Sequence, residues 1–209
     1  MKKRDPAQRA VFVDRDGTLN EMVYDDTHGV LDSPRLPSQV KMIKGAGIFL
    51  RRLKQSGYLV VVVSNQPGMA KNTLTEERLA AVNRALARQL EREGDSWDEI
   101  RCCPHHPRGS GRKNRYVKKC ACRKPAPGLL LEAARERGID LKKSWMVGDG
   151  LNDIQAGRNA GCKTILVTKL KLDQVELFFT MKKAKPDHVV SGLDEAFETM
   201  AGSRRRAQG

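Results

Sequence analysis

Three short apolar runs each end in a polar or acidic residue, and this repeated arrangement limits the fold more than any other feature of the chain. The runs are residues 10–13 before Asp14, residues 58–63 before Ser64, and residues 144–147 before Gly148 and Asp149. Near-continuous apolar runs rich in β-branched residues are typical of parallel strands that are buried on both faces. Further strand candidates lie at 99–102, 164–167 and 188–190.

Helical segments alternate with these runs. Residues 45–56 stop at Gly57, a helix beginning after Thr73 or Thr75 continues to Gly94, and two shorter helices are predicted at 127–137 and 153–160. Thr73 and Glu76 match a capping box at the start of the longest helix. Strands that alternate with helices of this length predict an α/β fold with a doubly wound, Rossmann-like parallel sheet, in which ligands bind at the carboxyl ends of the strands.

The domain organisation is predicted to be simple. Residues 1–200 should form one domain, with the loop 102–124 inserted in it, and residues 201–209 should form a basic, disordered tail. No apolar run of about 18 residues is present, so we expect no membrane span and a cytoplasmic protein. A monomer is expected.

Positive charge is concentrated in one part of the chain. The formal net charge is +14, and residues 101–131 contain nine Lys or Arg and no Asp or Glu. Such a patch attracts phosphorylated small molecules or polyanions. It is compatible with an enzyme that acts on a phosphorylated metabolite, and also with a nucleic-acid-binding protein.

The segment Asp14-Arg15-Asp16-Gly17-Thr18 carries the most chemical information. Carboxylates at positions i and i+2 leaving a strand project to the same side. They can hold Mg²⁺, a hard cation that prefers carboxylate, water and phosphate oxygens. One ionised carboxylate can attack phosphorus while the other transfers a proton to the leaving group.

Three cysteines and one histidine form two short pairs along the chain, and each pair could bind a metal ion. The five cysteines are an odd number in a chain without a secretion signal, which argues against a disulfide framework. Three thiolates and one imidazole form a closed tetrahedral site, which is typical of structural Zn²⁺. The predicted zinc ligands are Cys103, His105, Cys120 and Cys122, with His106 as the alternative to His105. Cys102 should face the opposite side of its strand, and Cys162 should simply be buried.

Taken together, these motifs resemble those of the haloacid dehalogenase (HAD) superfamily. An apolar run before D-x-D-G-T, Ser64 ending a strand, Lys124 before a helix, and Gly148-Asp149 with Asp153 after a strand occur in the superfamily's order. The resemblance implies that Asp14 is the nucleophile and Asp16 the general acid/base. It also implies that Asp149 completes a Mg²⁺ site with Asp14 and the Asp16 backbone carbonyl.

The resemblance extends to the residues around the phosphate. It implies that Ser64, Asn65, Gln66, Arg123 and Lys124 bind phosphate or substrate, with Arg123 on a distal phosphate or sugar hydroxyls. Thr18 and Asp153 would support the site from beside it. For Asp153, a purely local place in the first turn of a helix is an equal alternative.

The cysteine loop narrows the resemblance further. A C-x-H…C-x-C-R-K-P pattern is similar to that of the bacterial heptose bisphosphate phosphatases and the related histidinol-phosphate phosphatases, which lack a large cap domain. It implies a Mg²⁺-dependent phosphomonoester hydrolase that removes the C7 phosphate of D-glycero-D-manno-heptose 1,7-bisphosphate.

Three alternatives remain open from the sequence. Histidinol phosphate or another sugar phosphate could be the substrate; the chain could be a zinc-containing nucleic-acid-binding module; or it could be a nucleic-acid 3′-phosphatase. Aromatic residues make up only 5% of the chain. This leaves little stacking surface for single-stranded nucleic acid and argues against the last two.

Overall fold

A six-stranded parallel sheet forms the centre of the computed structural model, which describes residues 8–26, 29–111, 114–182 and 184–206. Its strands lie in the spatial order β5-β4-β1-β6-β7-β8. In chain order the strands are β1 (Ala10–Val13), β2 (Val23–Asp25), β3 (Val30–Asp32), β4 (Leu59–Asn65), β5 (Glu99–Cys103), β6 (Trp145–Gly148), β7 (Lys163–Val167) and β8 (His188–Val190). The predicted parallel sheet is confirmed.

Helices cover both faces of this sheet. They are α1 (Ala46–Gln55), α2 (Glu76–Glu93), α3 (Gly128–Arg137), α4 (Leu151–Ala160), α5 (Leu172–Lys182) and α6 (Leu193–Arg206). Side chains of α1, α2 and α6 pack with Val11 and Val13, whereas those of α3 and α4 pack with Ala10 and Phe12. Successive residues of β1 thus point into two separate cores, which explains why the strand is apolar throughout. The doubly wound α/β fold is confirmed.

The connection at 20–43 contains structure that the sequence did not predict. Strands β2 and β3 pair antiparallel, with Tyr24 opposite Leu31, and form a hairpin separate from the main sheet. Strands of three residues are too short to produce a clear alternating pattern. Neither the described residues of this connection nor those of the loop 102–124 form a large cap, in agreement with the expected fold class.

Two helix ends refine the predictions. Helix α2 begins after Thr75, one of its two predicted starts, and the Thr75 hydroxyl accepts from the Arg78 amide at 3.3 Å. The capping box predicted with Thr73 is wrong, because Thr73 instead donates to the Gly68 carbonyl. Helix α6 continues through Arg206, so residues 201–206 are helical where the sequence predicted a disordered tail. Met200 is 1% exposed and anchors α6 in the core, and the helix extends past it. Residues 207–209 lie outside the described residues. None of the described helices is long and apolar enough to cross a membrane.

Candidate active site

The carboxyl ends of β1, β4 and β6 bring the predicted site residues together. Strand β1 lies between β4 and β6, and the chain winds in opposite directions on its two sides. This is the switch point at which open α/β sheets bind ligands. Asp14 follows β1, Ser64 lies in β4, and Asp149 follows β6. The Asp14 amide donates to the Val147 carbonyl at 2.9 Å, which fixes the backbone at the strand end.

Lys124 lies at the centre of the site. Its Nζ is 2.7 Å from Asp14 Oδ1, 2.6 Å from Asp153 Oδ1 and 2.6 Å from the Val63 carbonyl. The side chain is 2% exposed, and these three acceptors match the three donors of an ammonium group. Burial opposes the charged form, but the Asp14 and Asp153 carboxylates more than compensate and raise the pKa of Lys124 above its ordinary value.

The pKa of Asp14 is also shifted, in the direction that favours the neutral carboxyl group. Burial and the neighbouring Asp153 carboxylate raise the pKa of Asp14 to about 8, although Lys124 partly counteracts them. Oxygens of Asp14, Asp149 and Asp153 lie within 4.8 Å of one another, and one ammonium faces these three carboxylates. A cluster of hard oxygen donors with excess negative charge suits a divalent cation such as Mg²⁺.

Gly17 lies against Asp149. Its φ is +87°, in the left-handed region, and a Cβ at this position would lie 2.1 Å from Asp149 Oδ2. Only glycine therefore fits between the acid pair and Asp149. The Thr18 hydroxyl donates to Asp149 Oδ1 at 3.4 Å. Asp149 is at the open side of the site, yet partial desolvation and Asp153 raise its pKa to about 6.

Asp153 makes contacts that match both possibilities left open by the sequence, a local place in the first turn of a helix and a place beside the other site residues. Its Oδ2 accepts from the Gly150 amide at 3.0 Å, which is a contact of the first turn of α4. Its Oδ1 pairs with Lys124, and its oxygens belong to the carboxylate cluster.

Asp16 is surrounded by donors rather than by other carboxylates. Burial opposes ionisation, but the Arg15 guanidinium and hydrogen bonds from neighbouring side chains hold the pKa of Asp16 below its ordinary value. The groups that donate to its carboxylate are Arg15 Nε and Nη2, Asn20 Nδ2, Ser33 Oγ, Ser64 Oγ and Gln66 Nε2. Asp14 and Asp16, two residues apart, therefore have opposite electrostatic environments.

The three residues at the end of β4 have different contacts. Ser64 Oγ lies 3.4 Å from Asp16 Oδ2, and Gln66 Nε2 donates to Asp16 Oδ2 at 2.7 Å and to Ser64 Oγ at 2.8 Å. Asn65 instead makes two hydrogen bonds with the backbone of Lys124, each 3.0 Å long. Its side chain is thus used to hold Lys124, a contact that differs from the predicted phosphate contact.

The four residues predicted to bind zinc lie close together and form a Cys/His cluster. Cys103, His105, Cys120 and Cys122 form one cluster, with Sγ–Sγ distances of 3.1 to 3.5 Å and His105 Nδ1 3.3 Å from Cys122 Sγ. Bonded sulfurs in a disulfide would be about 2 Å apart. Sulfur atoms around a tetrahedral zinc would be about 3.8 Å apart, given zinc–sulfur bonds of about 2.3 Å. The donor set and its closeness therefore fit a zinc ion.

The residues near this cluster resolve two further predictions. His106 Nδ1 contacts the backbone oxygen and amide of Arg108, so His106 is directed away from the cluster. Cys102 packs beside Met69 on the other side of β5, and Cys162 is 7% exposed in the core.

Arg123 Nη1 donates to the His105 carbonyl at 3.3 Å, which ties the guanidinium to the cysteine loop. Arg112 and Lys113 lie outside the described residues.

Sequence reasoning missed four residues of the site. Arg15, Asn20 and Ser33 donate to Asp16, and Asn83 of α2 accepts from Arg15 at 2.6 Å. Arg15 is fully buried between two acidic residues, and its position within the motif could have indicated its role. Asn83 lies 68 positions away, and no local pattern marks it.

Comparisons with known proteins agree with this arrangement. A family model described as "HAD-hyrolase-like" matches residues 121–196. A D-glycero-beta-D-manno-heptose-1,7-bisphosphate 7-phosphatase from Pasteurella multocida is 38% identical over 162 residues, covering 78% of this chain and 82% of the relative. The protein of the same name from Escherichia coli K12 is 38% identical over 161 residues, covering 76% and 79%.

A solved structure is similar over nearly the whole chain. The D,D-heptose 1,7-bisphosphate phosphatase from B. bronchiseptica, complexed with magnesium and phosphate, is 29% identical and has a TM-score of 0.72. The match covers 94% of this chain and 99% of that one. The enzyme hypothesis is thereby favoured over a nucleic-acid-binding module. The chain belongs to the HAD-like family of phosphatases, phosphoric monoester hydrolases that include the heptose bisphosphate phosphatases.

Proposed function

We propose that this phosphatase removes the C7 phosphate of D-glycero-β-D-manno-heptose 1,7-bisphosphate, with Mg²⁺ as cofactor and an aspartyl-phosphate intermediate on Asp14. The observation that carries the chemistry is the buried ion pair between Lys124 and Asp14 beside the Asp149 and Asp153 carboxylates. The substrate is supported by the names of relatives 38% identical over most of their length.

The reaction proceeds in two displacements. First, an Asp14 carboxylate oxygen attacks phosphorus and the bond between phosphorus and the C7 oxygen breaks. Asp16, which has to enter this step protonated although Arg15 and its other donors lower its pKa in the free protein, gives that proton to the leaving alkoxide. Then Asp16 takes a proton from water, the water oxygen attacks phosphorus, and the bond to Asp14 breaks to release inorganic phosphate. Ser64 and Lys124 hold phosphoryl oxygens during both steps.

The carboxylate cluster would hold the magnesium ion. Asp14, Asp149 and the Asp16 backbone carbonyl would be ligands, and Asp153 would support them. When bound, the ion would favour the ionised form of Asp14 and neutralise charge on the phosphoryl oxygens. The structure named for its magnesium and phosphate is a relative with the same fold, which supports this assignment.

A zinc ion in the Cys/His cluster would have a structural role. Cys122 lies two positions before Lys124 and next to Arg123, so an ion that fixes Cys122 would also fix the start of the segment that supplies both cations. The Arg123 guanidinium, held by the His105 carbonyl, would bind the distal phosphate or the sugar hydroxyls.

Steady-state kinetics on a panel of substrates tests the proposal. The panel contains both anomers of the heptose bisphosphate, histidinol phosphate and a 3′-phosphorylated oligonucleotide. We expect the highest kcat/KM for the β-anomer, with one phosphate released per molecule and phosphate retained at C1. A higher kcat/KM for histidinol phosphate or for the oligonucleotide would contradict the proposed substrate.

A further inference from the structure

The two oxygens of the Asp16 carboxylate have different sets of neighbours. Oδ1 accepts from Arg15 Nε and Asn20 Nδ2, each at 3.0 Å. Oδ2 is approached by four groups, Arg15 Nη2, Ser33 Oγ, Ser64 Oγ and Gln66 Nε2. A carboxylate oxygen has about two lone-pair sites. The serine and glutamine contacts can therefore exchange for a substrate oxygen at Oδ2 while Arg15 keeps the carboxylate in place.

Arg15 is itself held by α2. Its Nη1 donates to Asn83 Oδ1 at 2.6 Å, while Nε and Nη2 form the two-point contact with Asp16. The guanidinium is fully buried, so its orientation is set by these two partners rather than by water. A planar guanidinium transmits orientation because its donors are rigidly linked.

Asn83 is a polar residue on the side of α2 that faces the sheet. It follows Val82, which is in the core, and its half-buried side chain is directed toward β1 and β5. Its amide nitrogen lies 4.0 Å from Cys102 Sγ, the limit of a weak contact. The Asn83 oxygen thus has Arg15 as its strong hydrogen-bond donor, and a half-buried polar group in such a place needs a partner.

We propose that Asn83 and Arg15 are a positioning pair that orients Asp16 for proton transfer to the leaving group. This inference rests on the proposed role of Asp16 as the general acid. Arg15 fixes the plane of the Asp16 carboxylate, and Asn83 fixes the rotation of Arg15. Arg15 acts on the site through the Asp16 carboxylate, and Asn83 acts on it through Arg15.

This role predicts a dependence on the leaving group. An alkyl phosphate releases a strongly basic alkoxide, which needs a proton in the transition state, whereas 2,4-dinitrophenolate leaves without one. Misorientation of Asp16 should therefore slow formation of the aspartyl-phosphate from the first kind of ester and spare its formation from the second. The value of kcat/KM reports this first step, whereas the later hydrolysis of the intermediate, in which Asp16 takes a proton from water, is common to both esters. A general loss of structure would slow both kinds equally.

The experiment compares Asn83→Leu and Asn83→Asp with the wild-type chain. For the heptose bisphosphate we expect Asn83→Leu to lower kcat/KM by about tenfold or more, a fraction of the 10²–10⁴ that general acid catalysis supplies. For 2,4-dinitrophenyl phosphate, kcat/KM should change by less than about twofold. Asn83→Asp keeps an acceptor for Arg15 and should retain most of the activity on both substrates.

A matched control lies two helical turns away on α2. Gln89 bridges the Met42 amide and the Val40 carbonyl, is half-buried like Asn83, and does not contact Arg15. Gln89→Leu should lower stability without changing the ratio of the two kcat/KM values. Equal losses on both substrates in Asn83→Leu, or no loss on either, would overturn the inference while leaving the proposed function intact. A wild-type chain that hydrolyses neither ester would overturn both.

Discussion

Asn65 and Lys124 are joined by two reciprocal hydrogen bonds, from Asn65 Nδ2 to the Lys124 carbonyl and from the Lys124 amide to Asn65 Oδ1. They connect the end of β4 to the segment that leaves the cysteine loop. The Lys124 ammonium in turn returns to the Val63 carbonyl of the same strand. The lysine is thus attached to β4 through both its backbone and its side chain.

Replacing Asn65 should therefore disturb Lys124. Asn65→Leu removes both hydrogen bonds, and we expect a loss of about 1–3 kcal/mol in the free energy of unfolding together with a lower kcat. Urea unfolding and steady-state kinetics measure the two effects. Asn159→Leu removes one exposed bond to the nearby Pro125 carbonyl and serves as the control, with little change in kcat expected. Unchanged kcat in Asn65→Leu would contradict this role.

Asp14→Asn should abolish turnover and leave the fold intact. Asparagine has the same shape as aspartate but cannot form the acyl phosphate. Wild-type protein mixed rapidly with labelled substrate should carry label after an acid quench, and the variant should carry none. Circular dichroism checks the fold. Full activity of the variant on any phosphomonoester would exclude the aspartyl-phosphate mechanism.

Gly17→Ala tests the close contact between the acid pair and Asp149. A Cβ would lie 2.1 Å from Asp149 Oδ2, so Asp149 has to move by roughly 1 Å or more, and we expect kcat/KM to fall about a hundredfold. Gly138→Ala is the control because its φ of +65° imposes a similar backbone strain of about 1–2 kcal/mol while its Cβ meets no atom within 4 Å. Equal activities of the two variants would show that the contact has no functional consequence.

Magnesium affinity should increase with pH. Burial and neighbouring carboxylates raise the pKa of Asp14 to about 8 and that of Asp149 to about 6 in the metal-free protein. A carboxyl group binds the ion in its ionised form, which becomes more populated as pH rises through its pKa. We expect affinity to be on the order of a hundredfold higher at pH 8 than at pH 6, with protons released on binding.

Isothermal titration calorimetry measures this effect. Titrations at pH 6, 7 and 8, in buffers of different ionisation enthalpy, give both the affinity and the number of protons released. Equal affinities at pH 6 and pH 8 would contradict the raised pKa values.

Elemental analysis should find about one zinc per chain in the wild-type protein and none in Cys120→Ser. Because the cluster holds two distant parts of the loop together, we expect the variant's thermal midpoint to fall by at least about 5 °C. Cys162→Ala is the control, since Cys162 is buried outside the cluster and its loss should leave the zinc content unchanged. A wild-type protein without zinc would contradict the structural-zinc hypothesis.

The sequence was informative wherever adjacent strands bring their ends together. Asp14, Ser64 and Asp149 could be placed at one site because parallel strands of a sheet share a carboxyl edge. The Cys/His cluster could be placed because each pair is close along the chain. In both cases the distance between functional groups follows from local geometry.

Contacts between distant elements could not be predicted in this way. The link from Asn83 to Arg15 depends on how α2 packs on β1, and the contact of Ser33 with Asp16 depends on where the hairpin β2–β3 lies. The contact of Asn65 with Lys124 could not be predicted for the same reason, because the Asn65 amide meets the Lys124 backbone 59 positions later. Residues 201–206 were predicted to be disordered because their arginines are polar, whereas the preceding core contacts of α6 extend the helix.

Cys103 ends β5, the edge strand of the sheet, and its buried side chain belongs to both the protein core and the Cys/His cluster. The loop that leaves this edge is thus tied to the sheet at its root, and the proposed zinc ion would tie its far end to the same point through Cys120 and Cys122. In that arrangement the two ends of the loop set the position of Lys124, so a change in the length or charge of the residues between them should leave the lysine in place.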